Sequence, residues 1–148
     1  MLKKKGDLRN ALAEYRIATQ LDPSHADAHG NLANALSELG QFEEAMEEYE
    51  AALRLNPKLP EAHHGIAILM YKQRNVKGAI RVLQALLELT PDNPLVHLNM
   101  GAMLTSAGEP ERALDHFRKA ATLDPGNPQA LNAMSDLRKR LNRTRKGP

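Results

Sequence analysis

The chain has 148 residues, a formal net charge of +2, 42% hydrophobic and 3% aromatic residues, and neither cysteine nor tryptophan. The missing cysteines exclude disulfides, thiolate zinc sites and cysteine nucleophiles, and the scarce aromatics leave a core of Ala, Leu, Ile and Met, all compatible with helix. No apolar run approaches the roughly 20 residues needed to span a bilayer, so no membrane insertion is expected.

Pro23, Pro57, Pro91 and Pro125 recur every 34 residues, and Ala11, Ala45, Ala79 and Ala113 do the same. An aromatic column of Tyr15, Tyr49 and Phe117 is broken only by Leu83, and Leu32, Ile66, Met100 and Met134 form an apolar one. Such a period, with small residues at fixed offsets, predicts an all-α solenoid whose units bury their apolar faces by stacking on one another. The predicted organisation is one domain over residues 1–141, followed by a basic, disordered tail at 142–148.

In chain order, residues 6–25 hold half a unit, with one helix over Leu8 to Leu21. The full repeat 26–59 follows. Its first helix carries Ala28, Leu32, Ala35, Leu36 and Leu39 on one face, and Gly40 is its stop signal. Its second helix carries Phe42, Ala45, Met46, Tyr49, Ala52 and Leu53, and Asn56-Pro57 ends it because proline cannot continue the hydrogen-bond ladder. The small residues Ala33 with Ala45, Ala67 with Ala79, and Gly101 with Ala113 are expected to let paired helices approach closely. Repeats 60–93 and 94–127 copy the pattern, except that Arg74-Asn75 stands at the turn and Leu86 at a small position. Residues 128–141 read as a capping helix with Ala130, Leu131, Met134 and Leu137 on one face. The half unit at the start exposes an apolar helix face, which invites self-association into a homo-oligomer.

Charge is divided along the chain. Six of the twenty basic residues follow Leu137, leaving fourteen basic against eighteen acidic residues in the remainder. That tail has no aromatic residue to stack on bases, so specific nucleic-acid binding is not expected. Lys3, Lys4 and Lys5 precede Gly6-Asp7-Leu8-Arg9 rather than an apolar stretch, so they do not read as a signal peptide, and a cytoplasmic setting is expected.

The six histidines include His25 and His29 at helical i, i+4 spacing and the pair His63-His64 after Glu61. Because His29, His63 and His97 occupy one position of successive repeats, stacking spreads them apart, and no metal site is expected. Their protonation is expected to lower stability at mildly acid pH. No phosphate loop, nucleophile elbow or calcium loop occurs, and Glu43, Glu44, Glu47 and Glu48 read as a solvated helix face. The chain by itself is therefore read as having no catalytic residue and no cofactor.

The coincident columns resemble the tetratricopeptide repeat over nearly the whole chain, with His29, His63 and His97 where that family often has tryptophan. The resemblance implies a right-handed superhelix of antiparallel helix pairs that binds a peptide or partner helix in a concave groove lined by the first helices. Carried over by position, the groove residues are Asn31, Asn34 and Glu38, then His64, Ile68, Tyr71 and Lys72, then Leu98, Asn99 and Thr105, and finally Asn132 and Asp136. Asn31 and Asn99 share a position that Gly65 interrupts, and such amides can pair with a peptide backbone. The places that clamp a terminal carboxylate in chaperone-binding members hold Gly30, Gly65, Leu95 and Asn99, so that clamp is absent. The asparagine spacing also resembles the repeats of O-linked N-acetylglucosamine transferases. Three readings stand: an adaptor, a recruiting portion of a larger transferase, and a self-assembling scaffold.

Overall fold

The computed structural model describes residues 2–147, without the side chains of residues 2–5. Eight α-helices and no strand occur among the described residues: α1 (Leu2–Leu21), α2 (Ala26–Glu38), α3 (Phe42–Leu55), α4 (Pro60–Lys72), α5 (Val76–Leu89), α6 (Pro94–Ser106), α7 (Pro110–Leu123) and α8 (Pro128–Arg145). The all-α, helix-pair architecture is the one expected. The packing divides into two compact units, one ending at Gln73 and one beginning at Arg74.

The same local chemistry starts and stops each helix. Pro60, Pro94, Pro110 and Pro128 stand in first turns, where a missing amide hydrogen costs nothing. Asn75, Asn93 and Asn127 cap α5, α6 and α8 by accepting amide hydrogens from the first turn. Every loop that carries a repeat proline is a β-turn with that proline second. In these turns His25 N–H donates to Asp22 O at 3.2 Å, Leu59 to Asn56 at 3.1 Å, Asn93 to Thr90 at 3.3 Å and Asn127 to Asp124 at 3.1 Å.

Within the N-terminal unit, α2 and α3 pair, and both α1 and α4 pack beside them. Leu32, Ala33, Leu36, Ala45, Tyr49, Ala52, Ala62, Ile66, Ala67 and Leu69 are buried there. Within the C-terminal unit, α6 pairs with α7, and α5 and α8 flank them around Leu83, Leu86, Met100, Leu104, Ala113, Phe117, Ala120 and Leu137. Ala33 and Ala45 are fully buried, as are Ala67, Ala79 and Ala113, so any larger side chain there meets packed neighbours. The sequence pattern sets Gly101 opposite Ala113, but the group that demands a glycine is Phe117. A Cβ at residue 101 would lie 2.7 Å from Phe117 Cε1.

Two boundaries differ from the sequence expectation. Helix α1 reaches back to Leu2 rather than starting at Leu8, because Lys3 to Lys5 are good helix formers and Gly6 alone does not end a helix. Helix α8 runs to Arg145, so residues 142–145 of the expected disordered tail are helical. No proline or glycine interrupts that stretch, Thr144 Oγ1 donates to Leu141 O at 2.9 Å, and Arg143 and Arg145 sit favourably at the negative end of the helix dipole.

The turn after each first helix needs a left-handed residue. Gly40 (φ 80°) and Gly108 (φ 79°) supply it at no steric cost. Around them Gln41 N–H donates to Leu36 O at 2.9 Å and Glu109 N–H to Leu104 O at 2.9 Å, closing the α2 and α6 ends. At the same repeat position Arg74 is forced to φ 64°. For a residue with a Cβ that conformation costs about 1–2 kcal/mol, part of which glycine would give back through its freer unfolded state. Arg74→Gly is therefore expected to stabilise the chain by about 0.5–1 kcal/mol and raise the melting temperature by a few degrees; an unchanged or lower midpoint in a thermal melt would contradict the strain at this turn.

Candidate functional site

A depression in the N-terminal unit lies between α2 and the start of α4. It has a volume of about 380 Å³ and is lined by Asp27, Gly30, Asn31, Asn34, Leu59 and Glu61. Helical spacing sets Asp27, Gly30, Asn31 and Asn34 on one face of α2. Gly30 lowers the floor, and Leu59 Cδ2 would lie 3.7 Å from a Cβ at that residue. Two carboxylates and two amides thus surround a small apolar floor.

Asn34 is oriented from behind. The hydroxyl of Tyr49, a core residue of α3, donates to Asn34 Oδ1, while Asn34 itself is exposed. Burial, with Glu38 adding to it, pushes the Tyr49 phenol up to about 12, so the hydroxyl keeps its proton at any ordinary pH. The Tyr49 ring fits against α4 only because residue 65 is glycine. A Cβ there would sit 2.2 Å from Tyr49 Cζ. Gly65 is therefore less a gap in an asparagine row than the space that admits the tyrosine.

Of the expected groove residues, Asn31 and Asn34 are exposed and meet in this depression. His64, Ile68 and Tyr71 are half-buried along α4, and burial lowers the His64 imidazole. Lys72 is exposed, its Nζ 5.3 Å from the centre of the Phe42 ring, a cation–π contact between α4 and α3. In the C-terminal unit Asn99 is half-buried and Asn132 exposed. Thr105 and Asp136 share a second hollow, between α6 and α8. Leu98, expected to face a partner, is buried. Sequence reading misses Asp27, Gly30, Leu59 and Glu61. The helical relation to Asn31 and Asn34 is visible for the first two, whereas Leu59 and Glu61 enter from the next helix pair.

The histidine column latches the loops. His29 Nε2 lies 3.0 Å from Pro23 O, His63 Nε2 2.8 Å from Pro57 O and His97 Nε2 2.7 Å from Pro91 O. A carbonyl only accepts, so each Nε2 carries the hydrogen. His25 caps α2 through Nδ1, which accepts from Ala28 N–H at 3.2 Å. The second nitrogens differ: His29 Nδ1 lies 2.6 Å from Glu48 Oε2, and His97 Nδ1 lies 3.0 Å from His116 Nδ1. Among the described residues no group of three or more His, Asp or Glu is placed to hold a metal ion, and no helix is long and apolar enough to cross a membrane.

Helix pairs of this length, turned by a left-handed residue and closed by a proline turn, define the class of helical-repeat interaction domains. A family model described as "TPR repeat" matches residues 1–40 and 33–74, and a second, described as "Tetratricopeptide repeat", matches residues 65–128. The chain belongs to the tetratricopeptide-repeat family. Among solved structures, PilF of Pseudomonas aeruginosa aligns with a TM-score of 0.86 at 26% identity, over 95% of this chain and 64% of that one. This chain thus spans just under two thirds of that relative's length. YrrB, described as a TPR protein with an unusual peptide-binding site, aligns with a TM-score of 0.75 at 26% identity, over 95% of this chain and 73% of that one. The first TPR domain of Spaghetti (RPAP3), bound to the HSP90 peptide SRMEEVD, shares the fold with a TM-score of 0.76 at 18% identity, over 79% of this chain and 93% of that one. No curated protein matches the chain in a sequence search.

The His97–His116 pair allows one shared hydrogen. With His97 Nε2 committed to Pro91, His116 donates its Nδ1 hydrogen to His97 Nδ1, and charging both rings would set like charges 5.3 Å apart between centres. Burial first, then His97 and Arg112, lower the His116 imidazole, with Asp115 opposing them. A lowered folded value means that the unfolded chain binds more protons just below the ordinary 6.5. Stability from this group is therefore full above that pH and is lost as the pH falls through the folded value. Melts at pH 8 and pH 5 are expected to differ less in His116→Gln than in the parent, and equal differences would contradict the pairing.

Proposed function

We propose that the chain is a non-catalytic adaptor that holds an extended peptide or partner helix against the first helices of its repeats. The observation that carries this reading is the depression of Asp27, Gly30, Asn31, Asn34, Leu59 and Glu61. Its amides offer a backbone both donors and an acceptor, and its two carboxylates favour a segment with a basic side chain beside the bound stretch. The described peptide-binding site of YrrB, a similar chain, supports the reading. Helical-repeat proteins in general use such surfaces for protein partners.

A second reading has its own observation. Ile17 and Leu21 of α1 are 55% and 82% exposed, an apolar edge suited to a second copy of the chain.

One experiment separates the two. Tagged parent chain and Asn31→Trp, which fills the depression from an exposed position, are compared in a quantitative pull-down from the source lysate. At least tenfold less of a captured partner, with the melting temperature unchanged, is the expected outcome. Equal capture would contradict the groove as the site, and capture of untagged chain alone would move the function to α1.

A further inference from the structure

The hollow in the C-terminal unit is chemically unlike the depression between α2 and α4. It has a volume of about 270 Å³ and is lined by Ala102 and Thr105 of α6, Phe117 of α7, and Ala133, Asp136, Leu137 and Arg140 of α8. The repeat explains the difference. Phe117 stands where Tyr49 stands two repeats earlier, and Ala102 where Asn34 stands. The hydroxyl-to-amide bond that makes the first depression polar is thus replaced by a bare ring beside a methyl group. Phe117 and Leu137, 5% and 3% exposed, form an apolar floor with room for one large side chain.

Next to this hollow is a second, of about 280 Å³, lined by Asp136, Lys139, Arg140 and Arg143. Asp136 and Arg140 belong to both. Lys139, Arg140 and Arg143 are exposed, and none forms an ion pair with a carboxylate among the described residues. Three cations therefore face one carboxylate at the mouth of an apolar socket. Lys139 and Arg140 stand side by side on one turn of α8 and Arg143 on the next, so they present a short strip rather than a point.

We propose that this is a docking site for an acidic amphipathic segment of a partner protein. Its apolar side chain enters the socket over Phe117 and Leu137, and carboxylates on its flanks meet Arg140, Lys139 and Arg143. Charge complementarity selects an acidic partner, and the socket selects one with an apolar anchor, the usual arrangement of a buried anchor within a polar rim. A nucleic acid would use the cations but not the socket, since Phe117 offers no open face for a base to stack on. The proposal rests on the reading that first helices hold a partner, since α6 and α8 are such helices, but not on the Asn31 depression.

The test uses fluorescence anisotropy with a fluorescein-labelled peptide of twelve residues in which leucines at helical spacing are flanked by glutamates. Companion peptides replace the leucines by alanine or the glutamates by lysine, and a twelve-nucleotide oligothymidylate serves as competitor. Binding at least tenfold weaker for the alanine peptide, for Ala102→Phe, which fills the socket from an exposed position, and for Arg140→Glu, on the solvated face of α8, is the expected result, with the lysine peptide not binding. Each variant is melted first, and Arg140→Glu carries the test if Ala102→Phe fails to fold. Equal affinity for the leucine and alanine peptides, or displacement by the oligothymidylate at the same concentration as by unlabelled peptide, would overturn the proposal in favour of simple polyanion binding. Self-association of the parent chain that Arg140→Glu abolishes would also overturn it, by giving the socket to the acidic Phe42-Glu43-Glu44 face of a second copy.

Discussion

The N-terminal unit depends on one steric fact: Tyr49 has room for its ring only where residue 65 has no side chain. The ring is 2% exposed, and its hydroxyl is tied to Asn34, so it cannot swing aside if a Cβ is added 2.2 Å from Cζ. Its position sets how closely α4 approaches α3 and, through Asn34, the chemistry of the face that α2 presents. Phe117 and Gly101 repeat the relation within the C-terminal unit. Core and surface are thus joined by a single aromatic side chain in each unit: the Tyr49 ring through its bond to Asn34, and the Phe117 ring by lining a hollow directly.

Around these rings the frame is uniform. A proline turn, a histidine whose Nε2 holds the proline carbonyl, and a left-handed residue after each first helix recur with little change. A constant frame allows a few variable positions to decide what each unit can bind. Tyr49 with Asn34 makes a polar hollow flanked by carboxylates, whereas Phe117 with Ala102 makes an apolar one rimmed by cations. The charge division along the chain is therefore matched by a division of surface chemistry between its ends.

Much of this is legible in the amino-acid sequence alone. The 34-residue period, the alanine columns, the glycine turns and the proline stops place the inner helix boundaries within a residue or two, because each signal is local and repeated. The ends are harder: the start of α1 and the run of α8 to Arg145 have no stop residue to read. Gly65 reads as an interruption, since its reason is a ring from another helix. His29, His63 and His97 each stand six residues after a proline in plain view, but the bond between them depends on how the turn folds back. Asn31 and Asn34 can be read together from helical spacing, whereas Leu59, Glu61, Phe117 and Arg140 join the hollows through side-chain directions that spacing does not give.

The measurement that tests the central relation most directly is a double-mutant cycle of Gly65→Ala with Tyr49→Ala, followed by urea unfolding. Alanine is favoured over glycine in a helix by about 1 kcal/mol, while overpacking against a fixed ring costs about 1–3 kcal/mol. The account predicts that Gly65→Ala destabilises the parent and stabilises the Tyr49→Ala background, a change of sign. Stabilisation by the same amount in both backgrounds would contradict it.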